Sequence, residues 1–194
     1  MPQLKLVLPN VQEQAMIAAV KSIVATTCQE RFSQEPVLKR NHIKWNEKYR
    51  MLARAKDKGF AEGALVSWIG LFLAERQITQ NQPCGAIILY ADEYYMRKLM
   101  SAAGLSGEDV LKQGAVADFC SELCNMITGQ FINRVVSEGY QEIFMTSPDT
   151  QINEIPEGVK FNSDYAEYIE FGFFLWGKNV FSIDLTLSAI FKNE

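Results

Sequence analysis

The chain has 194 residues, 48% of them hydrophobic, with a formal charge of −4 and a pI near 5.2. That length and apolar content suffice for one buried core without a metal or disulfide to hold it. The acidic balance argues against a general nucleic-acid binder, which neutralises phosphates with a basic excess. In chain order, Leu4, Leu6 and Leu8 alternate with polar residues before Pro9 and predict a short strand. Asn10 reads as the cap of a first long helix over Val11 to Glu30, where Val11, Ala15, Ala18, Ala19, Ile23 and Cys28 recur at helical spacing. Residues 31–58 hold nine Lys and Arg against Glu35, Glu47 and Asp57, a net +6 that leaves −10 on the remainder. We read this segment as a basic insertion whose structure is open. Ile43, Trp45, Tyr49 and Leu52 fit an amphipathic helix, while 49–56 equally fits a strand entering a hairpin at Asp57-Lys58-Gly59.

Further along, Ala64 to Ala74 reads as a buried strand, Gln80 to Pro83 as a turn, and Gly85 to Tyr90 as the next strand. A helix over Asp92 to Ala103 follows, then a short helical turn started by Ser106 and Asp109, and a long helix from about Gly114. Gln141 to Thr146 reads as a strand closed by Ser147-Pro148-Asp149, and 149–164 as a polar loop. Ala166 to Trp176 offers apolar side chains on both faces, so cover from a helix of the same chain or from a second copy is expected. Gly177-Lys178-Asn179 would turn it into a last strand whose Phe181, Ile183, Leu185 and Leu187 face inward while Ser182, Asp184, Thr186 and Ser188 stay wet.

The start of the chain has no apolar run of signal-peptide length and no stretch approaches a membrane span, so a cytoplasmic location is expected. Cys28, Cys84, Cys120 and Cys124 lack paired short spacings and the sole histidine is His42. They read as core cysteines, with neither a metal site nor a cofactor site implied.

The most informative residues lie between Ala115 and Val136. Asp118, Glu122, Asn125 and Gly129 fall within one arc of roughly 60° on a helix, at about 100° per residue. Cys120, Leu123, Cys124, Ile127, Phe131 and Val135, with Phe119 and Met126, fill the opposite arc. The polar face should therefore point to solvent or to a partner, and Gly129 leaves a gap beside it. Asparagine does not titrate near neutral pH, so Asn125 cannot be a general base; its amide can accept one hydrogen bond and donate another. No phosphate-binding Gly-Lys loop, nucleophile elbow or Cys-His pair competes with this reading.

The arrangement Asp118-x3-Glu122-x2-Asn125-x22-Pro148 resembles the signature of the CheC/CheX family of chemotaxis phosphatases. The run Cys120 to Gly129 is similar to that family's catalytic helix, and Gly85 to Tyr90 followed by Asp92 to Met100 is similar to its strand-then-helix unit. The likeness spans most of residues 63–191, leaves 31–58 uncovered, and sets Gln130 where relatives often carry a second asparagine. It implies an α+β fold of two layers, one domain over 1–194 with a mostly antiparallel sheet packed against two long helices. It also implies a hydrolase acting on the aspartyl-phosphate of a CheY-like response regulator. In that reading Glu122 is the docking anchor, Asn125 aims the attacking water, and Asp118 and Gly129 are accessory. Mg2+ would sit on the partner, and the chain would form a homodimer. Glu13 and Glu30 lack an asparagine three residues on, which makes this a single-site chain. The competing readings are a noncatalytic interaction module of the same fold in chemotaxis or flagellar-switch signalling, and a basic arm formed by 31–58.

Overall fold

Residues 65–72 and 85–91 are apolar or small at nearly every position, a pattern that demands cover on both faces of a sheet. The computed structural model supplies it. The structure describes residues 4–6, 9–44, 50–105, 107–112, 114–160, 167–188 and 190–193. The first half contains β1 (Leu4–Leu6), α1 (Pro9–Phe32), β2 (Val37–Lys44), β3 (Arg50–Met51), a 3-10 turn (Ala55–Lys58), β4 (Leu65–Phe72), α2 (Glu75–Thr79), β5 (Gly85–Ala91) and α3 (Glu93–Ala102). The second half contains α4 (Gly107–Leu111), α5 (Ala115–Ser137), β6 (Phe144–Met145), β7 (Asp149–Ile152), β8 (Val159–Lys160), β9 (Glu167–Leu175), β10 (Lys178–Leu187) and β11 (Phe191–Asn193).

A seven-stranded antiparallel sheet in the order β2-β9-β10-β5-β4-β6, with β7 also pairing β4, forms the floor of the molecule. The fold class is α+β, as the sequence implied. The long helices α1 and α5 pack on each other and on one sheet face. Val20, Val24 and Cys28 of α1 meet Cys120, Ile127 and Phe131 of α5 over Ile69, Ile87, Leu89 and Ile183 of the sheet. Helix α3 fits beside them, capped by Asp92, whose side chain accepts from the Tyr95 amide at 3.2 Å.

Several expectations are corrected. Helix α1 begins at Pro9, so Asn10 is its second residue and not its cap. Proline suits the first helical position because its missing N–H has no partner to lose there. Of residues 31–58, Val37–Lys44 extend the sheet as β2, Arg50–Met51 pair with β8, and Ala55–Lys58 make the 3-10 turn, closed by Gly59 at φ +78°. Trp45 and Tyr49 lie outside the described residues, as do Leu8 and Ser106. The expected loop at 149–164 contains β7 and β8: polar side chains made 149–152 look like coil, but the strand needs only β4's backbone to pair with. The β9–β10 hairpin turns at Trp176 (φ +51°) and Gly177 (φ +72°), one residue earlier than Gly177-Lys178-Asn179.

The largest departure is the polar row of β10. Ser182, Asp184 and Thr186 are 2%, 1% and 4% exposed, so the strand has no wet face. A second, smaller core covers it: Ala53, Ala55 and Phe60 beside the 3-10 turn, with Ile155 and Val159, pack on Val66, Ala86, Ile88 and Tyr90. From that turn Lys58 donates to Asp184 at 2.9 Å, to Glu170, and to the Tyr168 hydroxyl at 3.3 Å, while Tyr90 donates to Asp184 at 2.8 Å. Part of the expected cover on β9, at Tyr168, is therefore this turn of the same chain.

Candidate functional site

Helix α5 starts at Ala115, after Gly114, which takes the left-handed conformation at φ +82°. Its buried positions, Val116, Cys120, Leu123, Cys124, Ile127, Thr128, Phe131 and Val135, follow the helical period and fix which side is out. Asp118, Glu122 and Asn125 are exposed, and Gly129 is half-buried with open space where a Cβ would stand. The polar face read from the sequence thus exists as an outward strip. Phe119 and Met126, assigned to the opposite arc, are half-buried at its border, and the Phe119 ring meets Phe32 at 6.0 Å between centroids.

Beside Glu122 is a shallow groove of ≈ 170 Å³, between the end of α1, the residues after α3 and the outer side of α5. Arg31, Phe32, Leu105, Phe119, Leu123 and Met126 line it with Glu122. Both a cation and a carboxylate therefore border an apolar floor.

Beneath the strip, sequence reasoning missed a set of hydroxyls. Ser121 Oγ lies 2.6 Å from Thr150 Oγ1, and Thr150 donates to Ser67 Oγ at 2.9 Å. Thr150 and Ser67 are direct partners across β7 and β4. Cys124 Sγ, one turn along α5, donates to the Ser67 carbonyl at 3.7 Å. Pro148 immediately precedes β7. One signal in the sequence pointed here: Ser67 interrupts the inward row of Leu65, Ile69 and Leu71 on β4, and a buried hydroxyl needs a partner.

The four cysteines are free and buried. Burial pushes the thiols of Cys28 and Cys84 up to about 12, and that of Cys124 likewise to about 12 against hydrogen bonds that lower it. They are packing residues and not nucleophiles. Among the described residues no group of three or more His, Cys, Asp or Glu is placed to hold a metal ion, and no helix is long and apolar enough to cross a membrane.

An antiparallel sheet with two long helices on one face matches the fold of CheC-like and CheX solved structures. Residues 77–169, which include Asp118, Glu122, Asn125, Gly129 and Pro148, match the family model described as chemotaxis phosphatase CheX. The resemblance to the CheC/CheX family that the motif implied is thus borne out over this segment. Among solved structures, chemotaxis protein CheX from Vibrio vulnificus is 16% identical, covering 92% of this chain and 97% of that one at a TM-score of 0.58. The CheX-CheY-BeF3-Mg+2 complex from Borrelia burgdorferi is 14% identical over 91% and 97%, with a TM-score of 0.58. The FliM middle domain from Vibrio alginolyticus is 6% identical over 90% and 92%, with a TM-score of 0.55. At these identities the likeness is one of fold. Comparison with curated proteins gives no match.

Proposed function

We propose that the protein is a phosphatase for the aspartyl-phosphate of a CheY-like receiver domain, acting through Glu122 and Asn125. The observation that carries this is their joint exposure on one side of α5, within the segment matching the CheX family. The reaction breaks the bond between phosphorus and the carboxylate oxygen as water attacks in line, releasing inorganic phosphate and a free aspartate. Such a step needs chiefly positioning and charge stabilisation. The Asn125 carboxamide accepts from the water and donates to a phosphoryl oxygen. Glu122 pairs with a cation of the receiver and fixes the register. Mg2+ belongs to the receiver's phosphorylation site, and the location is that of its partner, the cytoplasm. The FliM-like fold supports a second reading, a noncatalytic interaction module.

Release of phosphate from a panel of phosphorylated receivers, with and without this protein, tests the proposal. Acceleration of at least one receiver that Asn125→Ala removes while binding persists supports catalysis. Binding without acceleration leaves the interaction module. We also infer a homodimer, supported by β2, which pairs only with β9 among the described residues and so leaves an open sheet edge. Sedimentation equilibrium tests it.

A further inference from the structure

We propose that the hydroxyl chain Ser121–Thr150–Ser67, together with Cys124, sets the rotation of α5 and thereby aims Glu122 and Asn125. This rests on the phosphatase reading and adds to it two positioning residues, Ser121 and Thr150, that touch neither receiver nor phosphate.

The anchored residues are the immediate predecessors of the two motif residues. Ser121 precedes Glu122 and Cys124 precedes Asn125, and both reach the same residue, Ser67, one through Thr150 and one directly. Successive residues on a helix point about 100° apart, so pinning 121 and 124 to the sheet fixes the direction in which 122 and 125 leave it. A hydroxyl carries one proton. Since Thr150 spends its proton on Ser67, Ser121 must donate to Thr150, and the chain has a single sense from helix to sheet. Apolar packing alone tolerates small rotations of a helix, because dispersion is non-directional, whereas a 2.6 Å hydroxyl contact does not. A side-chain tip roughly 6 Å from the helix axis moves about 1 Å for a turn of about 10°. Misplacement by about 1 Å costs on the order of a hundredfold in rate. Glu122 makes a charge contact through a flexible side chain and is forgiving, while Asn125 must hold a water in line and is not.

The arrangement also gives Pro148 a role. It stands directly before β7, the strand that presents Thr150 to the helix.

The test measures kcat and KM for the receiver that the protein dephosphorylates fastest, with Ser121→Ala, Thr150→Val and Thr150→Ser. Alanine favours helix, so Ser121→Ala does not weaken α5 itself. The expected result is a fall in kcat of roughly tenfold for Ser121→Ala and Thr150→Val, with KM within about twofold, non-additivity in the double variant, and recovery in Thr150→Ser. Unchanged kcat in Ser121→Ala and Thr150→Val, with Asn125→Ala inactive, overturns this inference and leaves the phosphatase reading standing. No turnover of any receiver by the unaltered protein removes both.

Discussion

Lys58 Nζ lies 2.9 Å from Asp184 Oδ1 on the sheet face turned away from α5, with the lysine side chain 5% and the aspartate 1% exposed. Glu170 closes the same cation from the neighbouring strand. A charge so placed is stable only while its partners remain. Replacing the lysine leaves Asp184 and Glu170 without their shared cation. Lys58→Met is expected to lower unfolding stability by about 3 kcal/mol. The pairing with Asp184→Asn should recover a measurable part of it in a double-mutant cycle read by urea unfolding.

Asp184 gives that cluster a pH dependence. Burial pushes its carboxyl up to about 7, against Lys58 and the Tyr90 hydroxyl, which lower it, with the Glu170 charge adding to the rise. The folded state therefore binds this proton more tightly than the unfolded chain, where an aspartate titrates near about 4. Its contribution is full below about pH 4 and is lost as pH rises through about 7. Between pH 5 and pH 8 the protein should lose more stability than its Asp184→Asn variant does, in denaturant titrations at fixed ionic strength. Equal losses in the two proteins would contradict the assignment.

Gly129 lies inside α5, and an added methyl there meets nothing within 4 Å. Glycine in a helix interior costs about 0.5–1 kcal/mol relative to alanine. Gly129→Ala should raise stability by that amount in thermal or chemical unfolding. If the open space beside Asn125 receives the receiver, Gly129→Leu should weaken binding while leaving stability near that of the alanine variant.

Gly85 is the opposite case. A Cβ there would stand 2.3 Å from the Thr186 carbonyl oxygen and 2.8 Å from Leu187 Cα, both backbone atoms that cannot swing aside. Gly85→Ala should push β5 and β10 apart and cost on the order of 2–3 kcal/mol, as overpacking does. Chemical denaturation reads this directly.

Periodicity revealed much of this molecule. The alternation in β10 located a strand, the apolar runs of β4 and β5 marked buried strands, and the 3.6-residue rhythm of α5 encodes which side is inside, so strands, helix and outward strip were legible from side chains alone. What stayed hidden depends on partners distant in sequence. Ser182, Asp184 and Thr186 look wet because polarity is local information, while the turn at 55–58 that buries them arrives from over 120 residues away. Strand β7 looked like loop for the same reason: its four residues, Asp149 to Ile152, acquire a strand's identity from β4. Glu122 and Asn125 were found because one helix carries both. Thr150 and Ser67 were missed because no single element does.

The placement of β7 turns the 22 residues between Asn125 and Pro148 into a gauge of length. Neighbouring strand residues project to opposite sides, and here Thr150 faces α5 while Asp149 accepts from the Trp68 indole. Slipping the connector by a single residue would present a carboxylate or a carboxamide to Ser121 in place of a hydroxyl. Surface loops usually absorb insertions cheaply, yet with Thr150 in its proposed role this one transmits its count to the rotation of the helix it touches.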